Sequence, residues 1–231
     1  MTFIFCSFPL DSFKEIIMET ISDVLAQAFQ KRYATKQFDT TFVIPPDKLH
    51  ILKESIRLAP SSFGLQLWKI FLIRTEKLRE QIKVAAHNQP QMVEASELFL
   101  FCRPEKITEN HLDQFVTSVS RIRKQPKASL VAYRQMLSQV ILNLSEGEQT
   151  AWMEKQIYIA LGFLLQTATL LDLDTCPLEG FNRNQVDELL ELPRQGLHSV
   201  VACAVGKRSD NDLYASAPKV RYPEETIFGT L

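Results

Sequence analysis

The feature that most constrains this fold is the apolar stretch at residues 157–171. A bilayer-spanning helix needs about 20 apolar residues. This stretch is shorter, and Gln166, Thr167 and Thr169 interrupt it. It therefore reads as the buried core helix of a globular protein, running over residues 152–171. Three short β-type runs, at residues 69–74, 97–102 and 199–205, supply apolar partners. Strands interleaved with helices point to a single layered α+β domain.

The remaining signals fill in around that core. Ile21, Val24, Leu25, Ala28 and Phe29 make one stripe of a helix over residues 19–31. Pro45-Pro46-Asp47 opens a second helix, with Leu49, Leu52, Ile56 and Ala59 at helical spacing, and Pro60 stops it. A helix over residues 76–87 leads into the break Asn88-Gln89-Pro90-Gln91, which precedes a short helical turn. Residues 108–145 are helical in pattern, broken at Pro126, and belong at the periphery. Asn182 caps a short helix that Pro193 ends. Residues from 210 onward read as a tail. Residues 1–17 have neither the basic start nor the small-residue cleavage site of a secretory signal. They read as an extension, either disordered or docked as an arm on a partner subunit, ahead of one domain over residues 18–231.

Composition removes several function classes. The chain has 231 residues, enough for a real core. Its formal net charge of -1 offers no excess of cations for nucleic acid. Cys6, Cys102, Cys176 and Cys203 are isolated, which fits a reducing, cytoplasmic setting. The seven glycines never cluster into a dinucleotide fingerprint or a P-loop, so a resident Rossmann-type nicotinamide site is excluded. His50, His87, His111 and His198 lack ligand spacing, so no metal is expected. No nucleophile motif is present.

Five short pieces remain, and each alone has a plain reading. Arg32 and Lys36 follow the first helix; they suit a phosphate, or simply a solvated basic helix end. Pro60, Ser61 and Ser62 form a helix-stopping turn whose hydroxyls and N–H groups can donate to phosphate or sugar hydroxyls. Asn88 and Gln91 carry amides that can read a heterocycle edge, or merely make a turn. At Glu179-Gly180, after an apparent strand end, the glycine permits close approach of a planar ring. Lys219 and Arg221 alternate in an extended tail, so both point to one face.

Taken in this order, the pieces resemble the FMN-dependent, oxygen-insensitive NAD(P)H nitroreductases from about residue 19 to the C-terminus. The resemblance is carried best by residues 31–39, 60–68, 88–96, 152–192 and 218–223. It implies a three-layer α+β sandwich, with a central mixed, mostly antiparallel sheet flanked by helices, forming an intertwined homodimer with an FMN at each interface. Arg32, Lys36, Lys219 and Arg221 would hold the phosphate and ribityl chain, with Tyr33 and Ala34 beside them. Pro60, Ser61 and Ser62 would come from the other subunit, and Gly64 would stand at a further flavin-contact position. Asn88 and Gln91 would address the pyrimidine edge, and Glu179-Gly180 the ring near N5.

The implied activity is ping-pong: NAD(P)H gives hydride to the flavin, and a nitroaromatic, quinone or similar small acceptor then takes it. No catalytic side chain is needed, because the cofactor carries the chemistry. A flavin-binding carrier with little turnover is the alternative. Three positions depart from the family pattern. Gly64 stands where the turn often has Asn, and Leu67 replaces a Pro. Gln91 replaces the Lys of some members, which implies a lower flavin potential. Phe63, bulkier than the usual residue, is expected to line the acceptor pocket.

Overall fold

The computed structural model describes the backbone of residues 10–231 and the side chains of residues 21–231. Residues 1–9 of the expected extension lie outside the described residues. The helices are α1 (Leu10–Lys31), α2 (Pro46–Arg57), α3 (Glu76–Ala85), α4 (Gln91–Glu94), α5 (Glu109–Arg123), α6 (Val131–Ile141), α7 (Glu146–Leu170), α8 (Arg183–Leu189) and α9 (Glu224–Ile227). The strands are β1 (Lys69–Ile73), β2 (Glu97–Pro104), β3 (Asp174–Leu178) and β4 (Leu197–Gly206), in the order β1-β2-β4-β3.

All pairings among these strands are antiparallel. The parallel component of the expected mixed sheet shrinks to one isolated bridge, Ala34 to Thr175. Strand β3 accounts for the apparent strand end before Glu179. It is short and contains Pro177, which is tolerated because β3 is an edge strand.

Successive strand residues face opposite sides of a sheet, and this produces the layers. Phe99, Phe101, Val201, Cys203 and Val205 pack with Leu52 and Ile56 of α2 and with Ile157, Leu161 and Leu164 of α7. On the other face, Leu98, Leu100, Ala202 and Ala204 pack with Ile82 of α3, Met92 of α4 and Val186 of α8. The result is the expected three-layer sandwich. Helices α5 and α6 form a peripheral excursion with a core of their own, in which Leu112, Val116, Leu137 and Ile141 meet Met153 of α7.

Two helices depart from the sequence reading. Helix α7 starts at Glu146 because Ser145 and Glu148 make a reciprocal capping box. It is not buried all round, since Tyr158, Ile159, Phe163 and Leu170 are exposed. Helix α1 begins ahead of the expected start, and its apolar stripe is largely uncovered. Among its described side chains only Ala28 is buried, whereas Ile21, Val24 and Phe29 face outward.

Gly206, at the end of β4, is held by close packing. A Cβ there would lie 3.0 Å from the Phe38 ring and 3.1 Å from the Ser96 backbone nitrogen. Backbone cannot yield as a flexible side chain does, so Gly206→Ala is expected to destabilise the fold by about 1–3 kcal/mol. Urea denaturation measures this; an unchanged midpoint would show that the contact relaxes freely.

Candidate functional site

After α1 ends at Lys31, the chain crosses in extended form beside β3. Ala34 bridges Thr175, and Thr35 N–H donates to the Thr175 carbonyl at 3.1 Å. The C-terminal segment returns to this strand. Asp212 fastens the two together, accepting from the Tyr33 hydroxyl at 2.8 Å, Lys36 N–H at 2.8 Å and Gln37 N–H at 3.1 Å. It also accepts from Tyr214 N–H at 3.0 Å. Burial pushes the Asp212 carboxyl up, but the donors from Lys36, Tyr33 and Gln37 outweigh it and leave the group below its ordinary value. Lys219 Nζ closes the arrangement by donating to the Arg32 carbonyl.

These contacts enclose a cavity of about 520 Å³. Lys31, Arg32, Lys36, Lys219 and Arg221 line it, with Tyr33, Ala34 and Pro177, and among the described residues no carboxylate does. The crowding is visible at Lys219, whose pKa is lowered by burial and by the nearby charges of Arg32 and Arg221. A dianion placed among these cations would relieve that repulsion and satisfy their donors. A phosphomonoester is such a group, so the donor set fits the phosphate end of a mononucleotide.

Charged side chains behind the cavity support it. The Arg208 guanidinium sits 4.6 Å from the centre of the Tyr33 ring, and its Nε donates to Asp174 at 2.8 Å. Burial and the bond to Asp212 push the Tyr33 hydroxyl up to about 12, so it stays a donor. Nearby, Asp172 accepts from Lys207 Nζ at 2.6 Å and pairs with Lys31, the last residue of α1. Lys207, then Lys31, hold the Asp172 carboxyl down from 3.8 to about 2. Its side chain is 59% exposed, so solvent screening keeps the contribution small. Because the pKa is depressed in the folded state, the contribution is complete above pH 3.8 and disappears as the pH falls to about 2. Asp172→Asn is expected to lower the melting temperature slightly at neutral pH, and the gap from the unmodified protein should close across that acid window.

The turn before α4 meets the same strand. His87 and Asn88 take φ of 53° and 59° there. Gln91 is buried, its Nε2 reaches the Thr35 carbonyl at 3.5 Å, and its Oε1 has no hydrogen-bond partner among the described residues. Such an orphaned buried acceptor is free to receive a ligand N–H. Gln89 Nε2 donates to the Gly180 carbonyl at 2.7 Å, and a Cβ on Gly180 would come within 3.3 Å of that nitrogen. Glu179 accepts from the Tyr158 hydroxyl of α7, which burial and this carboxylate push up to about 12. The structure thus gathers residues 32–36, 88–91, 179–180 and 219–221 around β3 and its neighbours.

Pro60, Ser61, Ser62, Phe63 and Gly64 do not line the basic cavity. Ser62 N–H donates to Gln156 Oε1 at 2.8 Å, and Ser61 Oγ accepts from Gln66 N–H at 3.0 Å. Phe63 and Gly64 take φ of 57° and 79°, which turns a 39%-exposed Phe63 outward. Sequence reasoning missed Asp212, Arg208, Asp174, Tyr158 and Gln89. Of these, only Asp212 carried a local signal, as an Asp that accepts the N–H two residues on.

The nitroreductase family matches residues 29–207. A Staphylococcus haemolyticus protein named "Putative NAD(P)H nitroreductase SH0546" is 30% identical over 220 residues, covering 91% of this chain and 98% of that one. A nitroreductase-like protein from Streptococcus mutans superposes with a TM-score of 0.78 at 22% identity, covering 93% of this chain and 99% of that one. A protein from Exiguobacterium sibiricum, crystallised in complex with FMN, superposes at 0.76 and 19% identity over 90% and 97% of the two chains. The chain belongs to the nitroreductase family. The family match takes in Arg32 and Gly180 but ends before Lys219 and Arg221, which the fold returns to Arg32.

Proposed function

We infer that this chain is an FMN-dependent oxidoreductase that uses NAD(P)H to reduce small electrophilic acceptors, nitroaromatics and quinones among them. The observation that carries this reading is the carboxylate-free cavity lined by five cations beside the turn that holds Gln91. The names of the relatives support the same class. Bound there, FMN would supply hydride transfer between the nicotinamide and the acceptor.

The chain's own residues bind and orient. Arg32, Lys36, Lys219 and Arg221 hold the phosphate and ribityl chain, with Tyr33 and Ala34 beside them. Asn88 and the orphaned Gln91 oxygen address the pyrimidine edge, and Glu179-Gly180 lies along the ring. Pro60, Ser61, Ser62 and Gly64 come from a second copy, and Phe63 borders the acceptor. The exposed apolar side chains of α1 and α7 support that homodimer, since a second copy would cover them. No helix among the described residues is long and apolar enough to cross a membrane. The isolated cysteines favour a cytoplasmic setting.

The visible spectrum of the purified protein tests the reading. A flavin spectrum, present at once or after adding FMN, is expected. Anaerobic NADH or NADPH should bleach it, and a quinone or nitroaromatic should restore it. A colourless protein that ignores added FMN would end the idea, whereas a flavin that neither nucleotide bleaches would leave a carrier.

A further inference from the structure

A second cavity, of about 560 Å³, opens between α5 and the segment leading into β1. It shares no lining residue with the basic cavity. Its size falls in the range of small-molecule sites, about 300–1,000 Å³. Leu65, Leu67 and Val119 give it a buried apolar wall, and Phe115 extends that wall. The polar groups around the wall are cations or neutral donors, with no carboxylate among the lining residues.

One of these groups, His111, has its chemistry fixed by its neighbours. His111 caps α5 with its ring: Nδ1 accepts from Thr108 N–H at 3.1 Å, so the ring proton sits on Nε2 as a donor. Burial lowers the His111 pKa and keeps the ring neutral. Lys69 and Arg123 also line the cavity, and neither has an ion-pair partner among the described residues. The acids of α5 are engaged elsewhere, because Arg134 pairs with Glu109 and lies 2.8 Å from Asp113. An apolar cleft with two unpaired cations and no acid selects an apolar molecule that carries a negative charge.

We propose that this cavity binds a small apolar carboxylate, its ring against Leu65, Leu67 and Phe115 and its charge met by Lys69 and Arg123. This binding claim does not depend on the flavin reading. Gly64 lines the cavity and lies two residues past Ser62, so an occupant sits against the turn assigned above to the partner's flavin.

The test is calorimetric titration of the full-length protein with 2-naphthoate and with its neutral isostere 2-naphthamide. One naphthoate per chain is expected, bound about tenfold tighter than the amide. The double variant K69Q/R123Q should bring naphthoate down to the amide's affinity, while R32A/R221A should leave the preference intact. Ser118→Trp, which fills the cleft, should weaken both probes; if it does not fold, as read by circular dichroism, K69Q/R123Q decides alone. Equal affinity for the two probes overturns the proposal, as does the absence of binding heat from either. So does a preference that survives K69Q/R123Q or vanishes in R32A/R221A. A changed oligomeric state in Ser118→Trp also overturns it, because the cleft would then be covered by a second copy.

Discussion

Asp174→Ala is expected to be the most damaging single substitution around the basic cavity, lowering unfolding free energy by about 3–5 kcal/mol. Asp174 and Arg208 keep only 6% and 19% of their side-chain surface exposed. The carboxylate accepts from Arg208 Nε and from Arg208 N–H, each at 2.8 Å. Truncation therefore strands a guanidinium and a backbone donor away from water, and the cost is that of an uncompensated charge rather than of one lost contact. Removing both charges should behave differently. The double variant D174A/R208M leaves no stranded ion, so it should regain most of the lost stability. Urea denaturation of the two variants separates the cases. A loss in D174A no larger than an exposed pair would give, under about 1 kcal/mol, would mean that Arg208 escapes to solvent.

The consequence reaches the candidate site. Arg208 lies over the Tyr33 ring, and Tyr33 donates to Asp212, which also holds Lys36 and Gln37. The cations at Arg32 and Lys36 are thus placed by a strand whose position depends on a buried ion pair behind it. This is the ordinary division of labour at a charged site: exposed groups meet the ligand, and buried partners fix where they stand.

What the sequence disclosed follows from the range of the forces involved. Helix α2 was legible because its start, stripe and stop all lie within sixteen residues, from Pro45 to Pro60. Strand β4 was legible from its continuous apolar run, as expected of a strand buried on both faces. Of strand β3 only the end before Glu179 was legible, because five residues containing a Pro give too little pattern. The early start of α7 was written in Ser145 and Glu148, a local signal that the apolar core of the helix overshadowed. At the site, the cations could be read as an ordered set, but not what positions them. Asp212 binds backbone N–H groups 176 and 175 residues away. Backbone donors carry no residue identity, so no pattern of side chains announces such a contact. The exposed face of α7 was misread for a related reason. Periodicity identifies an apolar face but does not say whether the same chain covers it.

Arg32→Ala and Arg221→Ala are each expected to weaken FMN binding by about 1.5–3 kcal/mol, or roughly 10- to 150-fold. Both guanidiniums line the basic cavity, and both depress the pKa of Lys219 between them. Arg32, Lys36, Lys219 and Arg221 crowd the empty site, whereas Lys31 is paired with Asp172, so removing one of the four has two opposed effects. It relieves repulsion in the free protein and removes a charge-assisted contact in the complex. Exposed cations repel one another weakly in water, whereas a guanidinium–phosphate contact is among the stronger hydrogen bonds, so the loss of affinity should dominate. Riboflavin supplies the internal control, because it has the ring and ribityl chain without the phosphate. Its affinity should fall less than that of FMN in both variants, because only the ribityl contact is lost, so the FMN preference over riboflavin should shrink. Fluorescence titration of apoprotein with the two flavins measures both quantities. If FMN and riboflavin weaken equally, the two arginines support the fold of the site rather than the phosphate; if neither weakens, the phosphate is held elsewhere.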